Sequence, residues 1–195
     1  KEKEEKAAKA KAAAEAKAAT TEAKAAAAEA KAAAAEAKAA AAEAKAKAAI
    51  EKAIRKSLKK PTGELTKSDL EKVAELNLND NQLTDVKGLE KLTKLRELTL
   101  FDNQLTDVKG LEKLTQLTRL NLKFNQLSDV KGLEKLTQLT ELYLYDNQLT
   151  DVKGLEKLTQ LTYLDLDDNP DLTKAQIAEL KKALPNCFIL SNPTK

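Results

Sequence analysis

Leucines follow a fixed pattern over the second part of the chain, from Val73 onward. Two leucines separated by one residue open each unit, an alternation that is typical of a β-strand with one buried face. The pairs are Leu76 and Leu78, Leu98 and Leu100, Leu120 and Leu122, Leu142 and Leu144, and Leu164 and Leu166. One such strand cannot bury its apolar face alone, so the pattern predicts a stack of units that share one core.

Each unit is 22 residues long, and its second part is nearly constant. The segment 103–116 recurs in copies that begin at Asn81, Asn125 and Asn147, and the only differences are Lys94 and Ser128. The asparagine that follows each strand carries donors and acceptors, which can satisfy the backbone groups that a bend frees. A glycine in each turn permits a positive φ. We therefore expect this constant segment to be structural.

The repeated pattern LxxLxLxxNxLxxVxxLxxLxx resembles the leucine-rich repeat family, in the 22-residue form of bacterial internalin-like proteins. Five successive copies carry the resemblance, which covers residues 65–190. It implies an α/β solenoid with a parallel β-sheet on the concave face, and with turns and short helices on the convex face. Residues 61–195 are accordingly predicted to form a leucine-rich repeat domain.

An apolar stripe precedes the repeats and predicts an N-terminal helical cap. Ile50, Ile54 and Leu58 recur at helical spacing, so residues 48–59 are expected to cover the open end of the stack. A capping-box pattern at 68–71 then predicts a single helical turn.

The repeat breaks off after Asn169 and Pro170, and the remaining residues predict a C-terminal cap over 170–195. Thr173 and Gln176 form a capping box before an apolar stripe, which predicts a helix over 174–184. A last strand is predicted at 188–190.

Residues 1–60 contain 29 alanines, whereas residues 61–195 contain only four. Alanine, lysine and glutamate favour helices, and no glycine or proline occurs before Pro61, so one long helical stalk is predicted over 1–60. Its Glu-Ala-Lys unit recurs every seven residues, which would let Lys31 reach Glu36 of a parallel partner helix. An alanine seam buries little apolar area, so a solitary helix, a self-associated helix and a frayed segment all stay open.

Charge and composition exclude several classes of function. The formal charge of +3 divides into +7 over residues 1–60 (16 basic, nine acidic) and −4 over residues 61–195 (18 basic, 22 acidic). Neither part is basic enough to indicate a nucleic-acid ligand. Histidine is absent, and the single cysteine, Cys187, has no base to activate it. We therefore predict no enzyme and no cofactor, and we expect Cys187 to be a buried free thiol.

The compartment is left open by the sequence. No apolar run approaches the ~20 residues of a membrane span, and the first residues lack the apolar region of a signal peptide. The chain begins with Lys rather than Met, which we interpret as a fragment or a processed chain. We expect the bacterial cytoplasm, or the cell envelope if an upstream targeting segment has been removed.

One string resembles the opening of a calcium loop. Residues 165–171 read DLDDNPD, but Pro170 stands where such a loop needs glycine, and Gln176 replaces its bidentate glutamate. The asparagine within the string also belongs to the repeat, so a metal site is not predicted.

The positions that differ between copies lie on the strands, at the residues predicted to point away from the core. Five of the six aromatic residues of the chain fall there, among nine acidic residues and two basic ones. Aromatic anchors among polar groups are typical of protein interfaces, whereas random drift on a solvated face is the alternative. The predicted partner-binding residues are Glu75, Asn77, Asn79, Glu97, Thr99, Phe101, Arg119, Asn121, Lys123, Phe124, Glu141, Tyr143, Tyr145, Tyr163, Asp165 and Asp167.

The sequence thus predicts a non-enzymatic recognition module that binds a protein or peptide with a basic, partly apolar surface on the concave face. The alternative is a structural rod or spacer, or an engineered scaffold, without a specific partner. Self-association through the N-terminal helix stays open in either case.

Overall fold

The computed structural model describes residues 2–193, and it describes side chains at residues 11, 17 and 19–193. Lys1 and residues 194–195, which the predicted domains include, lie outside the described residues. Helix α1 spans Glu2–Ser57. The chain divides into two compact units, Lys1–Ala41 and Ala42–Lys195, so the last part of α1 belongs to the second unit.

The first unit consists of alanine-rich helix throughout its described part. Thr20 and Thr21 both turn their hydroxyl groups back to the carbonyl oxygen of Lys17, at 2.9 and 2.8 Å. Such bonds to the preceding turn are the usual way in which threonine is accommodated inside a helix.

The second unit is built on one parallel sheet of six strands in sequential order. The strands are β1 (Glu75–Asn77), β2 (Glu97–Thr99), β3 (Arg119–Asn121), β4 (Glu141–Tyr143), β5 (Tyr163–Asp165) and β6 (Phe188–Leu190). Equivalent leucines of neighbouring strands are in register, as with Leu98 and Leu120, and their side chains are fully buried. The predicted α/β solenoid is therefore confirmed.

The constant segment forms a turn that holds itself by local hydrogen bonds. Gly88 has φ of 96°, in the left-handed region that glycine alone adopts without strain, and it precedes the 3-10 helix Leu89–Lys91. The carboxylate of Glu90 accepts the N–H of Gly88, and that of Asp85 accepts the N–H of Lys87. Equivalent bonds recur in the next three turns. The acidic residues of the turn thus serve its conformation.

The asparagines form the expected ladder between coils. The amide nitrogen of Asn125 donates to the carbonyl oxygens of Leu100 and Leu122, both at 3.0 Å, and its oxygen accepts the N–H of Leu105 at 3.1 Å. Asn103, Asn147 and Asn169 make the same set of contacts in their own coils. Each side chain therefore joins two successive coils at the point where the strand ends.

The end of α1 caps the first coil. Ile50 and Ile54 are buried in the common core together with Ala46, and Leu58 packs against it partly exposed. The hydroxyl of Ser57 donates to the carbonyl oxygen of Glu75, the first residue of β1, at 3.2 Å. The helix thus provides both apolar cover and a hydrogen-bond donor at this edge of the sheet.

The turn after α1 is capped two residues earlier than the sequence predicts. Helix α2 (Lys67–Leu70) has Thr66 rather than Ser68 as its N-cap, in a capping box with Asp69. Lys60 also binds the Asp69 carboxylate at 2.7 Å, and these bonds hold the pKa of Asp69 well below its ordinary value. Asp69 therefore selects Thr66 as the N-cap.

Helix α3 (Lys174–Ala183) and β6 form the C-terminal cap. Thr173 and Gln176 make the predicted capping box, and Ile177, Leu180 and Leu184 are buried. Cys187 is a free thiol, but the prediction that it is buried is wrong, because it packs against the core while partly exposed. Partial burial raises the pKa of this thiol.

Candidate functional site

The outward face of the sheet, called here the sheet face, carries the side chains that point away from the leucine core. In every strand the central residue is buried and the flanking residues lie on the sheet face, so strand register decides which side chains become neighbours. The predicted binding residues of β1 to β5 are thereby brought to one face. Their arrangement differs between the two halves of the sheet.

Three rings form a contiguous first row beyond the ends of the strands. The ring centroids of Phe101 and Phe124 lie 5.1 Å apart, and those of Phe124 and Tyr145 lie 5.2 Å apart, both in edge-to-face geometry. Edge-to-face contact places the positive edge of one ring against the negative face of the next. Phe124 is the middle ring and is 39% exposed.

A second row runs across β4, β5 and β6. The centroids of Tyr143 and Tyr163 lie 5.3 Å apart, and those of Tyr163 and Phe188 lie 5.9 Å apart. Register accounts for the last pair, since Tyr163 of β5 is directly beside Phe188 of β6. The two rows together form a broad aromatic surface that extends from the end of β2 to β6.

Arg119 and Lys123, the two basic residues of the sheet face, lie between rings and carboxylates of the same face. Arg119 pairs with Glu141 at 3.2 Å and lies over the ring of Tyr143, at 5.6 Å from its centroid. The hydroxyl of Tyr143 donates to Glu141 at 2.6 Å, and the pKa of Tyr143 is raised by burial and by this carboxylate. This cluster is partly exposed and is available for contact.

Lys123 forms an ion pair with Asp165, and the sequence analysis does not predict this pair. Asp165 is predicted to point outward for a partner, but only 2% of it is exposed, and its carboxylate lies 2.7 Å from the Lys123 ammonium. The same ammonium lies over the rings of Tyr143 and Tyr145, at 5.0 and 5.5 Å from their centroids. Asp165 therefore acts as an internal counter-ion to Lys123, and the prediction that it is exposed on the outer face is wrong.

The carboxylates after β5 are close together. The pKa of Asp167 is raised by burial and by its neighbours Asp165 and Asp168, and one of its oxygens is buried without a hydrogen-bond partner in the described part of the chain. Asp168 instead accepts from Asn192 at 2.8 Å and bonds the hydroxyl of Tyr145, which lowers the pKa of Asp168. Asp165 and Asp168 of the calcium-like string are thus engaged in contacts with other side chains of the protein.

Within strands β1 to β3, the positions on the sheet face are all polar or charged. Asn77 and Asn121 each accept a backbone N–H two residues on, and Asn79 accepts the N–H of Phe101. These amides therefore have structural roles in addition to their place on the face. Thr99 has a buried hydroxyl without a hydrogen-bond partner among the described residues.

Two acidic residues of these strands, Glu75 and Glu97, line a groove of about 620 Å³ between the sheet and the end of α1. Lys52 and Lys56 of the helix line the same groove, which adds basic residues that the strand positions alone do not include. The acidic character of the sheet face is thus weakened at its first edge.

Comparison with known proteins was made on both sequence and structure. A family profile described as leucine-rich repeats in two copies matches residues 71–113, 94–135 and 137–182, which together cover more than half of the chain. The chain belongs to the leucine-rich repeat family. A search of curated proteins finds no match.

Two solved structures that resemble this leucine-rich repeat chain are internalins of Listeria monocytogenes. Internalin InlF shares 29% sequence identity at a TM-score of 0.69 over 76% of this chain and 44% of its own length. Internalin C2 shares 28% identity at a TM-score of 0.66 over 75% of this chain and 66% of its own length. The chain thus spans less than two thirds of either protein, and it is an internalin-like leucine-rich repeat protein.

Two residues of the leucine-rich repeat sheet face escape the sequence prediction. Phe188 and Leu190 of β6 are 63% and 36% exposed, and they flank the buried Ile189. With Phe124 they are the exposed large apolar residues of the described chain. The alternation of Phe188, Ile189 and Leu190 is the signal that finds them, once β6 is counted as a further strand of the same sheet.

Other classes of site find no support among the described residues. No group of three or more cysteine, aspartate or glutamate side chains is disposed to hold a metal ion there. No described helix is both long enough and apolar enough to cross a membrane. Leucine-rich repeat solenoids present an extended concave surface, and proteins are what they generally bind.

Proposed function

We propose that this chain is a non-enzymatic recognition module that binds a protein partner on its sheet face. The observation that carries the proposal is the contiguity of the aromatic side chains, which occupy variable repeat positions and still meet in two rows. Aromatic residues in adjacent, partly exposed positions are the usual anchors of protein interfaces.

The fold itself does not need these rings. The core of the solenoid is filled by buried leucines and valines, and the coils are joined by asparagines and by turns that repeat almost without change. An exposed phenylalanine therefore contributes little to stability relative to a polar residue at the same place. A continuous apolar patch on an otherwise polar face is typical of an interaction surface.

Charge supports a partner with basic residues around an apolar centre. Glu75, Glu97 and the exposed aspartates that follow β1, β2 and β4 have no ion-pair partner in the described part of the chain, whereas both basic residues of the sheet face are paired internally. The unpaired charge on the face is therefore negative. A positively charged partner would be steered to it, and the association rate would fall as salt screens the field.

A triple variant tests the proposal against a matched control. A partner is first captured with the intact chain, and its affinity is then measured for wild type, for Phe124→Ala/Tyr143→Ala/Tyr145→Ala, and for the turn variant Lys109→Ala/Lys131→Ala/Lys153→Ala. We expect the face variant to bind about 30-fold or more weakly, as the loss of one interface hot spot would already predict. The turn variant should bind as wild type. Equal affinity of wild type and face variant would refute a binding site on the sheet face.

The helix has a separate proposed role as a stalk. The division into a helical stalk at 1–60 and a leucine-rich repeat domain at 61–195 rests on the change in alanine content and on the repeat pattern. A structural spacer without a partner is the alternative function, and it predicts that neither triple variant changes any association of the chain. Sedimentation of the intact chain distinguishes a monomeric helix from a self-associated one.

A further inference from the structure

Phe124 occupies a backbone position that phenylalanine rarely adopts. The third residue after each of the first five strands has a positive φ. The values are 57° at Asp80, 52° at Asp102, 55° at Phe124, 51° at Asp146 and 53° at Asp168. Four of these five residues are aspartate, whose short polar side chain tolerates the left-handed region. A bulky phenylalanine there is a conformational outlier.

The ring at Phe124 is also more exposed than the rings beside it, which are only partly exposed. The residue therefore combines an unfavourable backbone with an apolar side chain that faces solvent. Its two edge-to-face contacts offset part of this cost. Strained conformations persist mainly at functional sites, and an observed outlier of this kind supports a hypothesis of function.

The surroundings of the ring define the chemistry that would fit. Asp102 and Asp146 stand at the equivalent positions of the two neighbouring coils, about 4.8 Å away along the sheet if strand spacing is maintained. Both are exposed, and neither forms an ion pair with a described residue. No cation lies over the Phe124 ring among the described contacts, whereas Arg119 and Lys123 lie over tyrosines.

We propose that Phe124 is the anchor of the interface and receives an arginine side chain of the partner protein, with its guanidinium near Asp102 and Asp146. Arginine suits the place because its apolar stem and planar cation both stack on an aromatic ring. The chain contains the same chemistry one residue earlier, where the Lys123 ammonium contacts two tyrosine rings and a carboxylate. This inference rests on the proposed function and narrows its partner chemistry.

The premise of strain is tested by two variants that both remove the ring. In ordinary backbone, alanine is more stable than glycine, but at positive φ the order reverses. We expect the full-length Phe124→Gly variant to unfold about 2–4 °C above Phe124→Ala in thermal denaturation. A higher melting temperature for Phe124→Ala would overturn the premise.

The binding claim is tested with a defined probe, the peptide acetyl-Gly-Arg-Gly-Arg-Gly-amide, and its citrulline analogue, which lacks the charge. NMR titration of the full chain should show saturable shifts at Asp102, Phe124 and Asp146, with binding about 2–5-fold tighter for arginine than for citrulline. Phe124→Leu keeps an apolar side chain without a ring and should reduce this preference, while the part of it that comes from Asp102 and Asp146 remains. Equal binding of both peptides to wild type, or an unchanged preference in Phe124→Leu, would overturn the proposal.

Affinity measurements with a captured partner protein distinguish a wrong assignment of Phe124 from a wrong assignment of the sheet face. If Phe124→Leu binds the partner as wild type while Tyr143→Ala/Tyr163→Ala loses binding, the anchor is wrong and the sheet face stands. If neither variant changes the affinity, both proposals fail. Loss of binding in Phe124→Leu supports both.

Discussion

The repeated turn and the sheet face occupy opposite sides of the same coil and use their residues differently. In the turn, Gly88, Asp85 and Glu90 have defined local bonds, and their equivalents recur in the next three turns. On the sheet face, side chains change from coil to coil, and the rings contact one another. The difference teaches that sequence identity among copies marks stability, while variation among copies marks the candidate interface.

The largest effect is expected from the asparagine ladder. Asn125→Ala removes the amide that donates to Leu100 and Leu122 and accepts from Leu105. The buried N–H of Leu105 loses its partner, while the two carbonyl oxygens each keep the bond from the asparagine of a neighbouring coil. We expect a loss of about 2–4 kcal/mol in the free energy of unfolding, since the unpaired N–H costs about 1–3 kcal/mol and each further hydrogen bond that is lost costs about 0.5–1.5 kcal/mol. Guanidinium denaturation measures it, and Gln126→Ala, at an exposed neighbour, is the control. A loss below about 1 kcal/mol would contradict the ladder.

A smaller loss is expected at Lys123, where the sheet face also contributes to stability. Lys123→Ala would leave the nearly buried Asp165 carboxylate without its cation. We expect a loss of about 1–3 kcal/mol, because removal of one partner of a buried pair leaves an uncompensated charge. Adding Asp165→Ala should recover part of this loss. If the loss in the double variant equals the sum of the losses in Lys123→Ala and Asp165→Ala, the two residues are not coupled.

Two glycines of the turn allow a graded comparison. Gly88→Ala and Gly154→Ala both place a side chain at φ near +100°, which costs about 1–2 kcal/mol. A Cβ at Gly88 would meet nothing within 4 Å, whereas at Gly154 it would meet Glu134 Cβ at 3.2 Å. Urea denaturation should therefore rank Gly154→Ala as the less stable variant, and the reverse order would argue against the packing of successive turns.

The smallest effect is a pH-dependent one at Asp167. Its pKa is raised, so the folded chain holds the proton more readily than the unfolded chain, and stability falls as pH rises from below 3.8 through the folded pKa. Asp167→Asn removes this penalty. We expect the variant to be slightly more stable than wild type at pH 7 and equal to it at pH 3. A difference that persists unchanged at pH 3 would mean that ionisation is not its cause.

The sequence predicts most of the fold because the strands, turns and asparagines obey one fixed period. Leu98, Asn103 and Gly110 can each be assigned from spacing and local chemistry alone. Tyr143 of β4 and Tyr163 of β5 can be assigned to one face for the same reason, since side chains alternate along a strand. Phe101 and Tyr145 continue this alternation beyond the strand ends, whereas Phe124 does not, because its backbone has a positive φ. Contacts between rings then follow from strand register.

Contacts between non-adjacent strands could not be predicted in this way. Lys123 pairs with Asp165, which lies two coils away, and its ammonium also lies over the ring of Tyr143. The repeat period alone does not determine which of several nearby carboxylates a long lysine side chain will pair with. Phe188 is missing from the predicted binding residues for another reason. Helix α3 lies between β5 and β6 and interrupts the 22-residue repeat, so the period does not align Phe188 with the earlier strands. The cap at Thr66 rather than Ser68 is a choice between two overlapping capping-box patterns, Thr66 with Asp69 and Ser68 with Glu71, which spacing alone does not decide.

Hydroxyl-radical footprinting of the chain, free and bound to a captured partner, tests the central claim most directly. It reports the solvent exposure of individual side chains on both sides of each coil in one experiment. If the partner binds the sheet face, oxidation of Phe124, Tyr143, Tyr145 and Phe188 falls on binding, while that of Lys109, Lys131 and Lys153 in the turns is unchanged. Protection of the turn lysines with unchanged oxidation of the rings would contradict this claim.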